Sequence, residues 1–165
     1  METILVAGAN GKTGREIINI LQNHSSYEPV AMVRNEDQQA YFENQEVKIA
    51  FADLEGDLTE AVQGVDRVIF AAGSGGNTGK EKTTAVDQEG AINLIDSAKA
   101  AGVKKFVMLS SLGADAPQES NKLQDYLQAK RDADEYLGNS GLDFSIVRPG
   151  TLNNEMPTGK IRISQ

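Results

Sequence analysis

The chain has 165 residues, a hydrophobic fraction of 39% and a formal net charge of −8. That length suits one domain with a real core, and that composition excludes intrinsic disorder. It contains no cysteine, which excludes disulfides, thiol catalysis and cysteine metal sites.

Met1 leads directly into the first strand, at residues 3–7, so no signal peptide is expected, which fits the expectation of a cytoplasmic location. A helix at 14–23 comes next, with Ile17, Ile18 and Leu21 on one face. A strand at 29–33, a polar helix at 36–44, a strand at 47–51 and a short helix around 58–63 continue the alternation. The fourth strand falls at 66–71. A long helix at 83–101 carries Val86, Gly90, Leu94 and Ala98 along a stripe of small and apolar residues, and Gly102 ends it. A fifth strand at 105–109, a helix at 123–137 ended by Gly138, and a sixth strand at 142–147 complete the run. Residues 160–164 could form one more strand.

This order predicts an α/β fold: a doubly wound parallel sheet of the Rossmann type, with strand order 3-2-1-4-5-6, as a single domain over 1–165. No apolar run approaches a membrane span. No basic stripe offsets the acidic balance, so neither a membrane nor a nucleic acid is expected as a partner. A small-molecule substrate is. Nothing in the sequence reports the oligomeric state.

Between the first strand and the first helix lies Gly8-Ala9-Asn10-Gly11-Lys12-Thr13-Gly14. Gly8 allows a tight turn out of the strand, Gly11 lets the backbone approach a diphosphate, and Gly14 lets the helix pack against the strand. The helix N-terminus offers free N–H groups to phosphates. The alternative is an ordinary tight turn. The same spacing recurs at Gly73, Gly76 and Gly79, so spacing alone is weak. Only the first match sits between a β-branched strand and an apolar helix; the second reads as a mobile loop near the site or a plain connector.

The residue ending the second strand meets the adenosine ribose in dinucleotide sites, and an arginine there suits a 2′-phosphate. Arg34 ends it here, which predicts NADP in preference to NAD; the alternative is a solvated surface arginine. Arg15 could add charge near the phosphates or face water. Asp53, followed by Leu54, could bond the adenine amino group or cap the next turn. His24 reads as a helix cap or surface residue. With one histidine and no cysteine, no metal site is expected. The acidic run Asp132, Asp134, Glu135 reads as a solvated face.

The GANGKTG loop, Val33-Arg34-Asn35, Ala52-Asp53-Leu54, the Val86-Asp87-x-x-Gly90-Ala91 helix and Arg148-Pro149-Gly150 resemble the short-chain dehydrogenase/reductases. More narrowly they resemble the atypical, NmrA-like or flavin-reductase-like branch, over nearly the whole chain. The resemblance implies cofactor contacts from Gly8, Asn10, Gly11, Lys12, Thr13 and Gly14, from Arg34, Asp53 and Leu54, and from Ala71, Ala72 and Gly73 after the fourth strand. It also implies a catalytic Tyr-x-x-x-Lys with a serine upstream. Tyr126 and Lys130 fit that spacing and share one helical face. The lysine charge would lower the phenol pKa and could bond the nicotinamide ribose; the tyrosine could donate a proton to a carbonyl. Of Ser110 and Ser111, Ser111 fits better.

The chain departs from the family in two ways. Ala71-Ala72-Gly73 stands where an asparagine usually braces the site, and the C-terminus after Gly150 is short, which marks a minimal member or a fragment. Three functions stay open. The first is an NADP-dependent oxidoreductase moving hydride to a small carbonyl, quinone or flavin-like acceptor. The second is a non-catalytic NADP(H) redox sensor acting through a protein partner. The third is an NAD-dependent sugar-nucleotide epimerase or dehydratase, which the short C-terminus disfavours. Tyr126 and Lys130 favour the first.

Overall fold

A computed structural model describes residues 1–75 and 79–163. Gly76, Asn77 and Thr78, in the second glycine-rich stretch, lie outside the described residues. The elements are β1 (Glu2–Ala7), α1 (Lys12–Gln22), β2 (Tyr27–Val33), α2 (Glu36–Glu43), β3 (Lys48–Phe51) and β4 (Arg67–Phe70). Then come α3 (Lys80–Thr83), a π-helical segment (Thr84–Glu89), α4 (Gly90–Ala100), β5 (Lys105–Leu109), a 3₁₀ turn (Pro117–Glu119), α5 (Gln124–Asn139) and β6 (Phe144–Val147). The six strands form one sheet in the order β3-β2-β1-β4-β5-β6, parallel at every joint. This is the predicted doubly wound fold.

Alternation along β1 explains the layers. Leu5 and Ala7 face one side, where Val68 and Phe70 of β4 and Phe106 and Met108 of β5 meet Leu94, Ile95 and Ala98 of α4 and Leu137 of α5. Ile4 and Val6 face the other, against Ile18 and Leu21 of α1 and Phe42 of α2. Parallel strands covered on both faces need this continuous apolar run. Fully burying each of the larger side chains contributes about 1.5–3 kcal/mol.

Five expectations are corrected. Residues 58–63 form a turn of mixed spacing, Val62 N–H to Leu58 O and Gln63 N–H to Glu60 O, and no helix. The long helix starts at Lys80 and widens through its π-helical segment before α4. Gly138 lies inside α5; the chain turns instead at Gly141, with φ +83°. Residues 160–163 carry no strand, and Ser164 lies outside the described residues. Asp134 is not solvated: it is 3% exposed and faces inward from α5.

Candidate NAD(P)H site

The parallel sheet brings the C-terminal ends of all six strands to one edge. β1 and β4 are neighbours there, although two helices and two strands separate them in sequence. Their chain exits diverge to opposite faces, which opens a crevice at this joint.

Gly8 sits in the crevice with φ +80°, a conformation glycine adopts without steric cost. A Cβ there would lie 2.5 Å from the Ala72 backbone, and one on Gly14 would lie 2.1 Å from Gly8 O. These two glycines therefore hold the loop, strand end and helix in backbone contact. Gly11 differs: a Cβ there would meet only Gly8 O, at 3.3 Å. Gly11 is the N-cap of α1, and no side chain caps the first turn, where Lys12 and Thr13 lie. Arg15 does not point toward the loop opening. It bonds Asn10 O at 3.1 Å and Asn10 Oδ1 at 2.6 Å, and stacks over Tyr41 at 3.7 Å. It braces Asn10.

A cavity of about 350 Å³ runs from this loop to the ends of β2 and β3. Gly8, Asn10, Gly11, Ala71, Ala72 and Gly73 form one wall, and Arg34, Gln38, Asp53 and Leu54 the other. Arg34 is exposed; its N–H donates to Gln38 Oε1 at 3.1 Å. Asp53 uses Oδ1 to accept from Glu55 N–H at 3.0 Å, so it caps the following turn and still faces the cavity. Lys82, ion-paired with Glu55, also lines this space. Gln38 and Lys82 were not read from sequence. Their signals were weak, one glutamine in a polar helix and one lysine in a charged run.

Past Gly73 the crevice continues into a second cavity of about 310 Å³, lined by Ser110, Ser111, Tyr126, Lys130 and Pro149. Tyr126 is half-buried, with a hydrogen bond to Ser111. Burial foremost, and then the Asp87 carboxylate, push the phenol above its ordinary value, against the pull of Ser111. The expected lowering by Lys130 is therefore corrected. The main cause is burial of the ring. Lys130 is 3% exposed, and its Nζ lies 3.0 Å from Asp87 Oδ1, 3.4 Å from Ala72 O and 3.5 Å from Leu109 O. The ammonium thus sits beside a carboxylate and two carbonyls and also borders the second cavity.

Asp87 is fully buried on the π-helical segment, where the widened turn aims it inward. Its Oδ2 accepts from Ser74 N–H at 2.9 Å. Ser110 also faces inward: its hydroxyl donates to Asp134 Oδ2 at 2.8 Å, and Arg148 Nε donates to the same oxygen at 3.0 Å. Ser111 is thus the serine that meets Tyr126. Asp87, Asp134 and Arg148 were missed as a supporting set; only the Val86-Asp87 motif, quoted for its resemblance, hinted at one of them.

A model of a family described as NAD(P)H-binding matches residues 8–165. The chain belongs to that NAD(P)H-binding family. This NAD(P)H-binding chain is 41% identical to a Bacillus subtilis strain 168 protein named "Uncharacterized sugar epimerase YhfK", over 96% of this chain and 76% of the relative. A solved Bacillus halodurans protein described as "Putative NAD-dependent epimerase/dehydratase" superposes with a TM-score of 0.92 at 46% identity, covering 97% of this chain and 75% of that one. The NADPH-dependent quinone oxidoreductase QOR2 of Escherichia coli, solved with NADPH, gives 0.70 at 28% identity, covering 88% of this chain and 48% of that one. The family and these neighbours place the chain among the epimerase/dehydratase and short-chain-dehydrogenase-like proteins.

The residues fit the group this family binds. Gly8 and Gly14 hold the loop in backbone contact with its surroundings, and Gly11, where a Cβ would meet only Gly8 O, stands at the uncapped helix end, with the Arg34 cation at the far wall. No described helix is long and apolar enough to cross a membrane.

Proposed function

We propose that the chain is an NADPH-dependent reductase of the NmrA-like, flavin-reductase-like branch, acting on a small carbonyl, quinone or flavin-like acceptor. One observation carries this reading. Arg34 at one end and Tyr126 at the other face two cavities that share Ala71, Ala72 and Gly73. A dinucleotide laid along that path would put its ribose phosphate at one end and its reactive ring at the other.

When bound, the cofactor supplies a hydride. This chain's residues do the rest. The Gly8–Gly14 loop and the first turn of α1, with Asn10, Lys12 and Thr13, receive the diphosphate on backbone N–H groups. Arg34 takes the 2′-phosphate through charged hydrogen bonds. Asp53 and Leu54 border the adenine. Ala71, Ala72 and Gly73 floor the path with no side chain to obstruct it. Tyr126 gives its phenol proton to the substrate oxygen, and Ser111 orients that oxygen. Lys130 supports the floor from below through Ala72 O and Leu109 O. The similarity to an NADPH-dependent quinone oxidoreductase supports a quinone among the acceptors.

Calorimetric titration with NADPH and NADH tests the reading. Tighter binding of NADPH is expected, followed by its oxidation when a quinone or aromatic aldehyde is added. A second reading, a sugar-nucleotide epimerase, draws on the names of two relatives. It predicts cofactor retained through purification and no net NADPH consumption. Selective binding with no turnover of any acceptor would point to a sensor.

A further inference from the structure

We infer that the acceptor is an organic anion, carrying a carboxylate or a phosphate monoester, and that Lys122 is the residue that selects it. The inference rests on the reductase reading and names the class of substrate for that site.

A third cavity, of about 640 Å³, opens beside the second. The two share Gly73 and Tyr126. Its size is in the range that takes a small organic molecule. Ser74 and Gly75 after β4, Lys80 and Thr83 of α3, and the stretch from Asn121 to Tyr126 enclose it. A substrate whose oxygen meets Tyr126 therefore has room for the rest of its skeleton here.

Charge decides what that skeleton carries. Three charged side chains line the cavity: Lys80, Lys122 and Asp125. Lys80 Nζ lies 2.8 Å from Asp125 Oδ1, so those two charges offset each other. Lys122 is exposed, and among the described residues it has no ion-pair or hydrogen-bond partner. One uncompensated positive charge is left, in a chain whose net charge is −8. A local positive charge in an otherwise acidic chain concentrates anions at that one place.

The neighbours of Lys122 suit the same ligand. The Asn121 and Gln124 amides on the same wall can donate to anionic oxygens. Leu123 is 55% exposed and gives that wall an apolar surface for a carbon skeleton. Lysine meets carboxylate and phosphate alike, as a point charge. The wall therefore asks for one negative group, held apart from the carbon that receives hydride.

The test compares kcat/KM for benzaldehyde, 4-carboxybenzaldehyde and 4-formylphenyl phosphate with NADPH as reductant. Ring substituents also alter the carbonyl itself, so the reading is how the ratio of each anion to benzaldehyde changes between proteins. That ratio should fall about 2–5-fold from the native chain to Lys122→Met, the scale of a partly exposed ion pair. It should fall further in Lys122→Glu, and the native preference should shrink as salt is raised. The larger of the two falls tells carboxylate from phosphate. Lys99→Glu makes the same charge change at an exposed site in the last turn of α4 and should leave the ratio alone. A ratio that is the same in the native chain, Lys122→Met and Lys122→Glu overturns the proposal. So does an equal fall in Lys99→Glu, which would trace the effect to overall charge. Ligand-observed NMR on the NADP⁺-saturated protein repeats the comparison without turnover, using 2-naphthoate against neutral 2-naphthamide. Naphthoate binding that depends on Lys122, with no acceptor reduced, would remove the reductase reading and leave the anion site standing. Aldehyde reduction with no dependence on Lys122 would keep the reductase reading and remove the anion site.

Discussion

Asp87 and Lys130 form an ion pair of 3.0 Å with side chains 0% and 3% exposed. It joins the π-helical segment to α5 beneath the floor of the crevice. Breaking a buried pair by removing one partner leaves a charge without compensation. Lys130→Ala should therefore cost about 3–5 kcal/mol in denaturant unfolding. Asp87→Asn should cost less, because Lys130 keeps two carbonyls. A loss under about 1 kcal/mol for Lys130→Ala would place this pair with exposed ones.

The three loop glycines should separate in their effects. Gly14→Ala drives a Cβ to 2.1 Å from Gly8 O and should disrupt folding. Gly11→Val meets only Gly8 O at 3.3 Å, so the chain should fold. Its side chain would instead fill the space a diphosphate needs. Circular dichroism and NADPH calorimetry should show a folded Gly11→Val protein without measurable binding. Retained binding would remove the loop from the cofactor site.

Arg34 gives the nucleotide preference. Arg34→Ala should weaken NADPH binding by about 1.5–3 kcal/mol, the scale of a hydrogen bond to a charged group. NADH binding should be unchanged. Equal losses for both would make Arg34 structural.

Asp134 should leave a mark on stability against pH. Burial raises its carboxyl above the usual range, partly offset by Ser110 and Arg148. The folded chain then holds the proton more tightly than the unfolded chain. As pH rises from about 4, the unfolded carboxyl ionises first, and stability falls until the folded one follows. Asp134→Asn should remove that fall. Unfolding measured across this interval should show a difference between native and variant stability that shrinks as pH rises. A difference independent of pH would contradict the assignment.

The strands and the first glycine loop were legible because their signals are local. A parallel strand buried on both faces reads as a β-branched run, and Gly8-x-x-Gly11-x-x-Gly14 lies between such a run and an amphipathic helix. The π-helical widening was not legible, since no residue type announces an added residue per turn. Asp134 misled for a related reason. An acid beside Asp132 and Glu135 looks solvated until the fold sets Ser110 and Arg148 against it. The spacing of Tyr126 and Lys130 correctly put both on one helical face, but Asp87, 43 residues before Lys130 in the numbering, is the ion-pair partner that only the fold brings to that lysine.

The central claim is that hydride passes to a substrate carbonyl beside Tyr126. Reaction of NADPH deuterated at the reactive ring carbon with an aromatic aldehyde tests it most directly. The account predicts deuterium on the former carbonyl carbon of the product. It also predicts a turnover loss of about 10²–10⁴-fold in Tyr126→Phe, with NADPH affinity unchanged. A Tyr126→Phe protein with full aldehyde reductase activity, or a product without deuterium, would contradict it.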